Sequence, residues 1–588
     1  MITEGHKQEV VSYITAKTLI AELFSCGVKD FCVSPGYRNS PLISALAQIP
    51  GAKIHSHIDE RGIAFFALGI AKATSAPVAL ICTSGTAAAN YFPALLEASY
   101  GHTPLVFITA DRPQELLDVG ANQSMDQIKL FGSNIRFFSH IPALESANEN
   151  LLCHIKLVGA KAVNQSKFPL AGPTHINIAF REPFFLKEDE VQKIEKELLE
   201  KSNENNNETL IYEAPPIIHD SHIKDLVIQL TTKEKVLIAV GPGTYSKEEI
   251  SNLCALSEKL KAPLLAEASS GLGFFTADKK NLCLRVETIL SDREFIKSHN
   301  PGLILRYGAQ LTSKRFIDFH KKSLCPTIIF DENSQTRSEV VGKIIFLNGG
   351  PGAALKKLVA ALPPQTTESE WLTDFHQAEL NANKEIIQYL ESETALTEWH
   401  IAHAIASSLK NSSCLFLGNS MPIRDFDFLA PSFEKYVRVF SNRALSGIDG
   451  LLSTALGIAS GSDQLINLLI GDISFLHDIN TLTLVKRMES KIRMNFFVIN
   501  NGGGEIFRQI PTSNSPGLES LFTTPQFFEL KSLAKGFGIN YCSANSQDEL
   551  FSLLPSTQEG RGVNIIELIP DAQRNTTFRK EFWNRIKK

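Results

Sequence analysis

The sequence predicts an α/β protein of three domains, each with a central, mostly parallel sheet flanked by helices, and three observations carry that prediction. Short apolar runs alternate with helical patterns along the whole chain, which is the signature of βαβ units. Many of the runs stop at a glycine or a small polar residue, as parallel strands do on entering the loops where ligands gather. Two polar seams interrupt the alternation: KEDEVQKIEKELLEKSNENNNET at 187–209, and PPQTTESE at 363–370. They divide 588 residues into 1–190, 205–362 and 375–588, pieces compatible with a prior of roughly 150 residues per domain.

In chain order, the first piece offers FCVSPG and VALICTSG, each a strand running into glycine, and LVFITADRP, a strand running into a turn. The second offers KVLIAVGPG, LILRYGAQL and TIIFDEN. The third offers SCLFLGNS, LINLLIGD and NFFVINNGGG. Residues that carry chemistry should follow these runs.

Composition removes several function classes. With 43% hydrophobic and 21% charged residues the chain has ordinary globular composition. A net charge of −5 supplies no basic field, so nucleic acid is not an expected partner. No run approaches the roughly 20 apolar residues that span a bilayer. The N-terminal MITEGHKQEVVSYITAK lacks the layout of a signal peptide. Nine cysteines are scattered without a C-x-x-C pair, which points to reduced thiols and a cytoplasmic location rather than a disulfide frame or zinc site.

The apolar run Leu468–Ile470 ends at Gly471-Asp472, and a lone Gly-Asp reads equally as a turn or helix cap. A second feature changes its meaning. After a helical pattern, the strand NFFVIN ends in Asn500-Asn501-Gly502-Gly503-Gly504, which sets Asp472 and Asn501 at the tips of two parallel, neighbouring strands. A hard cation takes oxygen ligands, and Asp472, Asn501 and the Gly503 carbonyl offer three; diphosphate oxygens and water would complete an octahedron. Gly471-Asp472-Ile473 followed after 26 residues by Asn500-Asn501 resembles the thiamine diphosphate motif of the pyruvate decarboxylase-like enzymes, with Ile473 in place of a common third glycine. The resemblance implies thiamine diphosphate with Mg²⁺ or Mn²⁺, and a carboxylate from another domain. Glu60, between a short strand and an apolar helix, is the candidate; the alternative is a first-turn glutamate favoured by the helix dipole. In such an enzyme it would hydrogen-bond the aminopyrimidine ring and favour its imino tautomer, a task suited to a sheltered carboxylate of raised pKa. Its neighbours Asp59 and Arg61 read as structural or solvated, and so does His477.

SPGYRNSPL, ADRPQEL, GANQSMDQ, LTSKR, GNSMPIRD, SNRALSGIDG and NNGGGEIFRQIP, spread over all three pieces, closely resemble the 2-succinyl-5-enolpyruvyl-6-hydroxy-3-cyclohexene-1-carboxylate synthases of menaquinone biosynthesis. That family is expected to decarboxylate 2-oxoglutarate and add its succinyl-semialdehyde carbanion equivalent to isochorismate. By the same resemblance Gly85, Asn419, Ser446 and Ile448 join Glu60, Asp472 and Asn501 around the cofactor, with Ile448 as the bulky prop beneath it. Arg38, Arg112, Gln123, Lys314, Ser420, Arg424 and Arg443 line the substrate site, and Ile506, Phe507 and Ile510 cover the reacting centre. Five of these are cations on strand-end loops, and both substrates are anions that an arginine fork or a lysine can hold. Tyr37, where the family has serine, and Arg508-Gln509 depart from the pattern. The resemblance also implies a homodimer or homotetramer with active sites between chains. Two other readings compete. An acetolactate synthase or simple 2-oxoacid decarboxylase would share Asp472 and Glu60 but needs fewer arginines. A catalytically dead binding protein would have lost Glu60, Asp472 or Asn501, and all three are present.

Overall fold

The computed structural model describes residues 7–202, 211–212, 218–275, 280–331, 338–340, 342–365, 369–429, 435–488, 492–560 and 562–586. Three six-stranded sheets dominate it. The first holds β1 (Asp30–Val33), β2 (Lys53–Ser56), β3 (Val78–Cys82), β4 (Leu105–Asp111), β5 (Phe137–Ile141) and β6 (Pro173–Ala179) in the order β2-β1-β3-β4-β6-β5, all parallel. The second holds β7 (Val236–Val240), β8 (Leu264–Ala266), β9 (Leu282–Cys283), β10 (Leu303–Tyr307), β11 (Thr327–Asp331) and β12 (Ile344–Asn348), ordered β12-β11-β10-β7-β8-β9 and again all parallel. In the third, β13 (Ser413–Leu417), β14 (Val437–Phe440), β15 (Ile466–Gly471), β16 (Arg493–Ile499), β17 (Asn540–Ala544) and β18 (Gly562–Leu568) repeat the order of the first, as β14-β13-β15-β16-β18-β17.

Central strands such as β3, β4 and β13 are buried along their whole length. That is why they appear in the sequence as continuous apolar runs rather than alternating ones. In the first and third sheets the strand order reverses beside the first strand, between β1 and β3 and between β13 and β15. Each reversal leaves a crevice at the carboxyl ends, where loops can hold a ligand. The loops Ser34–Arg38 and Thr83–Gly85 leave one crevice; Gly418–Ser420 and Asp472 leave the other.

The chain forms two compact units, residues 1–214 with 449–462, and 215–448 with 463–588. In the first, the helix Leu451–Ser460 lies against the helix Glu60–Thr74 with their backbones in contact. A Cβ added to Gly69 would sit 2.0 Å from the Thr454 carbonyl oxygen, and one added to Gly457 would sit 2.0 Å from that of Phe66. In the second unit one apolar cluster runs from Ile223 to Phe582 and joins the second and third sheets.

The first polar seam is helical over Glu188–Ser202, and residues 203–209 lie outside the described set. Past the second seam, of which 366–368 are not described, the helix Glu370–Glu391 begins at once. Its Trp371 and Phe375 pack with Leu237 and Ile304 of the second sheet, and the Trp371 indole N–H donates to the Val236 carbonyl at 2.8 Å. Among the described residues no helix is long and apolar enough to cross a membrane.

Candidate active site

Asp472 and Asn501 stand at the ends of β15 and β16, which are parallel neighbours in register from Ile466 with Met494 to Gly471 with Ile499. Asp472 opens the short helix Asp472–His477 and is buried. Its Oδ1 accepts the Ile473 N–H at 2.7 Å and its Oδ2 accepts the Gly502 N–H at 3.1 Å, which draws the glycine loop onto the carboxylate. Burial pushes the Asp472 carboxyl up to about 6, against those N–H donors. The Asn501 Nδ2 donates to Glu398 at 2.7 Å, while its buried Oδ1 has no hydrogen-bond partner. Gly503 holds φ +144°, and a Cβ there would lie 2.4 Å from the Thr523 carbonyl, so only glycine fits. Its own carbonyl accepts the Glu505 N–H at 3.0 Å and keeps its second lone pair.

A carboxylate, an unpartnered amide oxygen and a backbone carbonyl on one strand-end loop fit a hard divalent cation and the diphosphate it binds. Among the described residues no group of three or more His, Cys, Asp or Glu could hold a metal. A cation here would draw on amide and backbone oxygens beside the Asp472 carboxylate.

Beside this loop, Asn419 ties two strand ends together. Its Nδ2 donates to the carbonyls of Asn442 and Gly447 at 2.9 and 2.7 Å, and its Oδ1 accepts from Arg443 Nη1 at 3.2 Å. Asn419 thus fixes the segment carrying Arg443, Ser446 and Ile448 rather than presenting its own amide. Ser446 at φ 60° and Ser420 at φ 75° are non-glycine residues in the left-handed region, the kind of local strain that collects at functional sites. Ile448 is an exposed isoleucine, an apolar surface offered to a ligand.

Lys314, Arg424, Ile506 and Ile510 line one cavity of about 490 Å³ in the second unit, together with Glu267, Asp427 and Gln509. Two of these cations are not on loops as the sequence suggested. Lys314 is the first residue of the helix Lys314–Ser323, which Ser313 caps, and Arg424 lies in the first turn of Met421–Leu429 with its Nη1 on the Ser420 carbonyl at 2.6 Å. Ser313 Oγ accepts the Phe316 N–H at 3.0 Å, so that helix starts at Lys314, directly after its cap. Phe507 does not line the cavity; its ring packs on Phe522, centroids 5.5 Å apart. The carboxyls of Glu267 and Asp427 are both raised, chiefly by burial, and both meet Thr312, Glu267 at its backbone N–H (2.6 Å) and Asp427 at its hydroxyl (3.2 Å).

In the first unit, Arg38, Arg112, Gln123, Tyr37, Asn122 and Glu182 line a cavity of about 390 Å³. Arg38 is buried and already engaged: Nη1 donates to the Phe180 carbonyl at 2.9 Å and Nη2 to Glu182 at 2.6 Å. Arg112 bonds the Ser84 hydroxyl, and its pKa is lowered by burial and by the charge of Arg38. Glu182 pairs with Arg38, and the charges of Asp111 and Glu182 act on Arg112 against that of Arg38, so the cavity offers two guanidinium forks balanced by two carboxylates. Gly85 has φ +77°, its N–H donates to Gln127 at 2.9 Å, and a Cβ would press within 2.9 Å of Gln123. Gln123, itself at φ 56°, returns a bond from Nε2 to the Ser84 carbonyl at 2.9 Å. Tyr37 stands at the rim, 63% exposed, with its ring on Phe184.

Glu60 is the first residue of the helix Glu60–Thr74, just after Asp59, whose Oδ1 caps the N–H groups of Arg61 and Gly62 at 3.0 and 3.2 Å. Asp59 is therefore the structural carboxylate of the pair. Burial raises the Glu60 pKa and the Asp59 charge adds to the rise, against a hydrogen bond that lowers it. Glu398, Asp425 and Arg579 form a buried group around Asn501 that the sequence does not single out, because no motif links them.

Two family models match the chain: "Thiamine pyrophosphate enzyme, N-terminal TPP binding domain" over residues 14–130, and "Middle domain of thiamine pyrophosphate" over 199–417. Among curated relatives named 2-succinyl-5-enolpyruvyl-6-hydroxy-3-cyclohexene-1-carboxylate synthase, that of Listeria monocytogenes serotype 4b (strain F2365) is 34% identical over 585 residues, 99% of this chain and 98% of its own. Those of Lysinibacillus sphaericus (strain C3-41) and Geobacillus kaustophilus (strain HTA426) are 33% and 32% identical, each covering 97% of both chains. By identity and coverage the chain belongs to the 2-succinyl-5-enolpyruvyl-6-hydroxy-3-cyclohexene-1-carboxylate synthase family and is a thiamine diphosphate-dependent enzyme.

Proposed function

We propose that the protein decarboxylates 2-oxoglutarate and adds the remaining four-carbon unit to isochorismate, forming the product for which its relatives are named. The observation that carries this reading is the pair Arg38 and Arg112, buried side by side on a cavity of about 390 Å³. A small monocarboxylate such as pyruvate needs no such pair of guanidinium forks, whereas 2-oxoglutarate and isochorismate each bring two carboxylates.

In this reading Asp472, Asn501 and the Gly503 carbonyl hold Mg²⁺ or Mn²⁺, and through it a diphosphate. Bound thiamine diphosphate would supply a carbon nucleophile for the ketone and a cationic ring to take up the electron pair left when CO₂ departs. Glu60 holds and releases a proton at a carboxyl kept neutral more readily by burial. Ile448 supports the cofactor with an apolar surface, Gly85 lets backbone approach it, and Asn419 keeps the segment of Ser446 and Ile448 in place. Arg38, Arg112 and Gln123 orient carboxylates in one cavity; Lys314 and Arg424, with Ser420 and Arg443 nearby in the chain's fold, do so in the second unit. Ile506 and Ile510 exclude water there. Release of Arg38 from Glu182 would free one nitrogen of its fork for a substrate.

The domain division at 1–190, 205–362 and 375–588, a cytoplasmic location, a role in menaquinone biosynthesis, and a homodimer or homotetramer belong to the same proposal. The test is direct. Purified protein with thiamine diphosphate, Mg²⁺, 2-oxoglutarate and isochorismate should yield CO₂ and a product of the mass expected for the synthase. If pyruvate replaces 2-oxoglutarate without loss of rate, an acetolactate-type reaction takes its place.

A further inference from the structure

We propose that Glu398 is a positioning residue that decides which end of the Asn501 amide faces the cation; the inference rests on the metal site proposed above. An asparagine amide offers oxygen on one side and NH₂ on the other, and only the oxygen can bind a metal. A carboxylate can only accept hydrogen bonds. Glu398 Oε1, 2.7 Å from Asn501 Nδ2, therefore obliges the NH₂ to point at Glu398, which leaves the buried Oδ1 unpartnered.

Glu398 is itself immobilised. It opens the helix Glu398–Ser408, where its N–H donates to Asn575 Oδ1 at 3.1 Å, and its Oε2 accepts Arg579 Nη2 at 2.6 Å. Arg579, on the helix Ala572–Ile586, spans both oxygens of Asp425, one of them at 2.6 Å; Trp399 Nε1 donates to Asp425 at 3.2 Å. All four side chains are buried. One arginine between two carboxylates leaves a net negative charge beside Asp472, an arrangement that a cation offsets. Asp425 and Arg579 also line the cavity of the second unit. Outer-shell partners of this kind typically set metal affinity by 10–100-fold.

A purely structural ion-pair network would respond to loss of charge with a lower melting temperature. It would have no preference for the polarity of the Glu398–Asn501 contact. The test exploits that difference, with Mn²⁺ titrated calorimetrically into full-length protein at saturating thiamine diphosphate and metal-free melting followed in parallel. In Glu398→Gln the introduced carbonyl must serve Arg579, so its NH₂ turns to Asn501 and flips that amide; Mn²⁺ affinity should fall about 10–100-fold. Asn501→Asp adds a charge that simple electrostatics would count as tighter binding. Set against the Glu398 carboxylate it should instead weaken Mn²⁺. Combining Glu398→Gln with Asn501→Asp restores one donor facing one acceptor at each contact and should recover most of the loss. Wild-type affinity in Glu398→Gln, tighter binding in Asn501→Asp alone, or a double variant no better than the singles overturns the proposal. Asn501→Asp decides alone if Glu398→Gln does not fold. Asp472→Ala separates the two levels: if it too keeps wild-type Mn²⁺ affinity, the metal site is misassigned, and if it alone loses affinity, only the role of Glu398 fails.

Discussion

Replacing Gly457 by alanine sets two effects of opposite sign against each other. Glycine inside a helix costs roughly 0.5–1 kcal/mol relative to alanine, so propensity by itself predicts that Gly457→Ala stabilises the protein. The structure predicts the reverse. The new methyl would lie 2.0 Å from the Phe66 carbonyl oxygen and 3.0 Å from the Gly69 Cα, both backbone atoms that cannot rotate aside. The helices Glu60–Thr74 and Leu451–Ser460 would have to part by more than an ångström along a packed face, and overpacking of this kind costs about 1–3 kcal/mol or more. The steric term wins. At about 2–4 °C per kcal/mol for a unit of this size, the melting temperature should fall by roughly 2–12 °C. Gly536→Ala is the control: it lies in the helix Leu530–Phe537, and a Cβ there meets nothing within 4 Å, so propensity acts alone and stability should rise by about 0.5–1 kcal/mol. Differential scanning calorimetry of both variants decides the matter. Because Glu60 heads one of the two helices, turnover should also fall in Gly457→Ala and hold in Gly536→Ala. A Gly457→Ala protein melting at or above wild type would refute the close-approach argument.

Other outcomes follow from the site. Glu60→Gln keeps shape and hydrogen bonding but cannot exchange a proton, so thiamine diphosphate should still bind while kcat drops by about 10²–10⁴-fold; near-normal kcat excludes the role. Arg112→Ala removes a buried cation facing the cavity of the first unit. A loss of roughly 2–5 kcal/mol, or about 30- to 5000-fold in kcat/KM, is expected with cofactor affinity unchanged, and steady-state kinetics with each substrate would expose an unaltered value. Arg443→Lys should also lose kcat/KM, because a point charge cannot reproduce a planar fork; equal rates would count against a carboxylate contact there. His175 is buried with its Nε2 2.8 Å from Thr109 Oγ1, and burial pulls its pKa from 6.5 down to about 3. The unfolded chain takes up a proton below pH 6.5 that the folded chain refuses until about 3, so stability present above 6.5 is lost as pH falls, by up to about 1.4 kcal/mol per unit. His175→Gln should flatten the drop in melting temperature between pH 7 and pH 5, and an equal drop in both proteins would assign the acid sensitivity elsewhere.

What could be read in the sequence was local. LINLLIGD and NFFVINNGGG encode β15, β16 and the residues at their tips, because parallel strands buried on both faces are written as unbroken apolar runs and the loop chemistry follows at once in the chain. Gly503 was legible for the same reason, since a conformation that a Cβ cannot enter leaves a glycine behind. Helix starts were less so. Ser313 caps the helix of Lys314, and Ser420 in the left-handed region precedes that of Arg424, so cations expected on loops stand in first turns. Contacts without any local address were illegible. Nothing in LLSTALGIAS says that this helix packs on Glu60–Thr74, although the glycines of both helices are spaced to allow it.

The sharpest case is Asn501 itself. The motif supplies the residue but leaves its amide free to turn either way, and a turn of 180° exchanges the oxygen proposed as a metal ligand for a donor that would repel a cation. The orientation is fixed by Glu398, 103 positions earlier in the chain, and Glu398 by Arg579, 181 positions later again. Each link joins residues on different helices and loops of one buried cluster, so neither spacing nor periodicity could have revealed them. In the proposed metal site the same contact accounts for asparagine in place of aspartate: with a buried carboxylate fixed behind it, the position needs a side chain that donates on one side while accepting on the other. Local sequence thus names the ligands proposed for this site, and long-range packing determines that Asn501 presents oxygen.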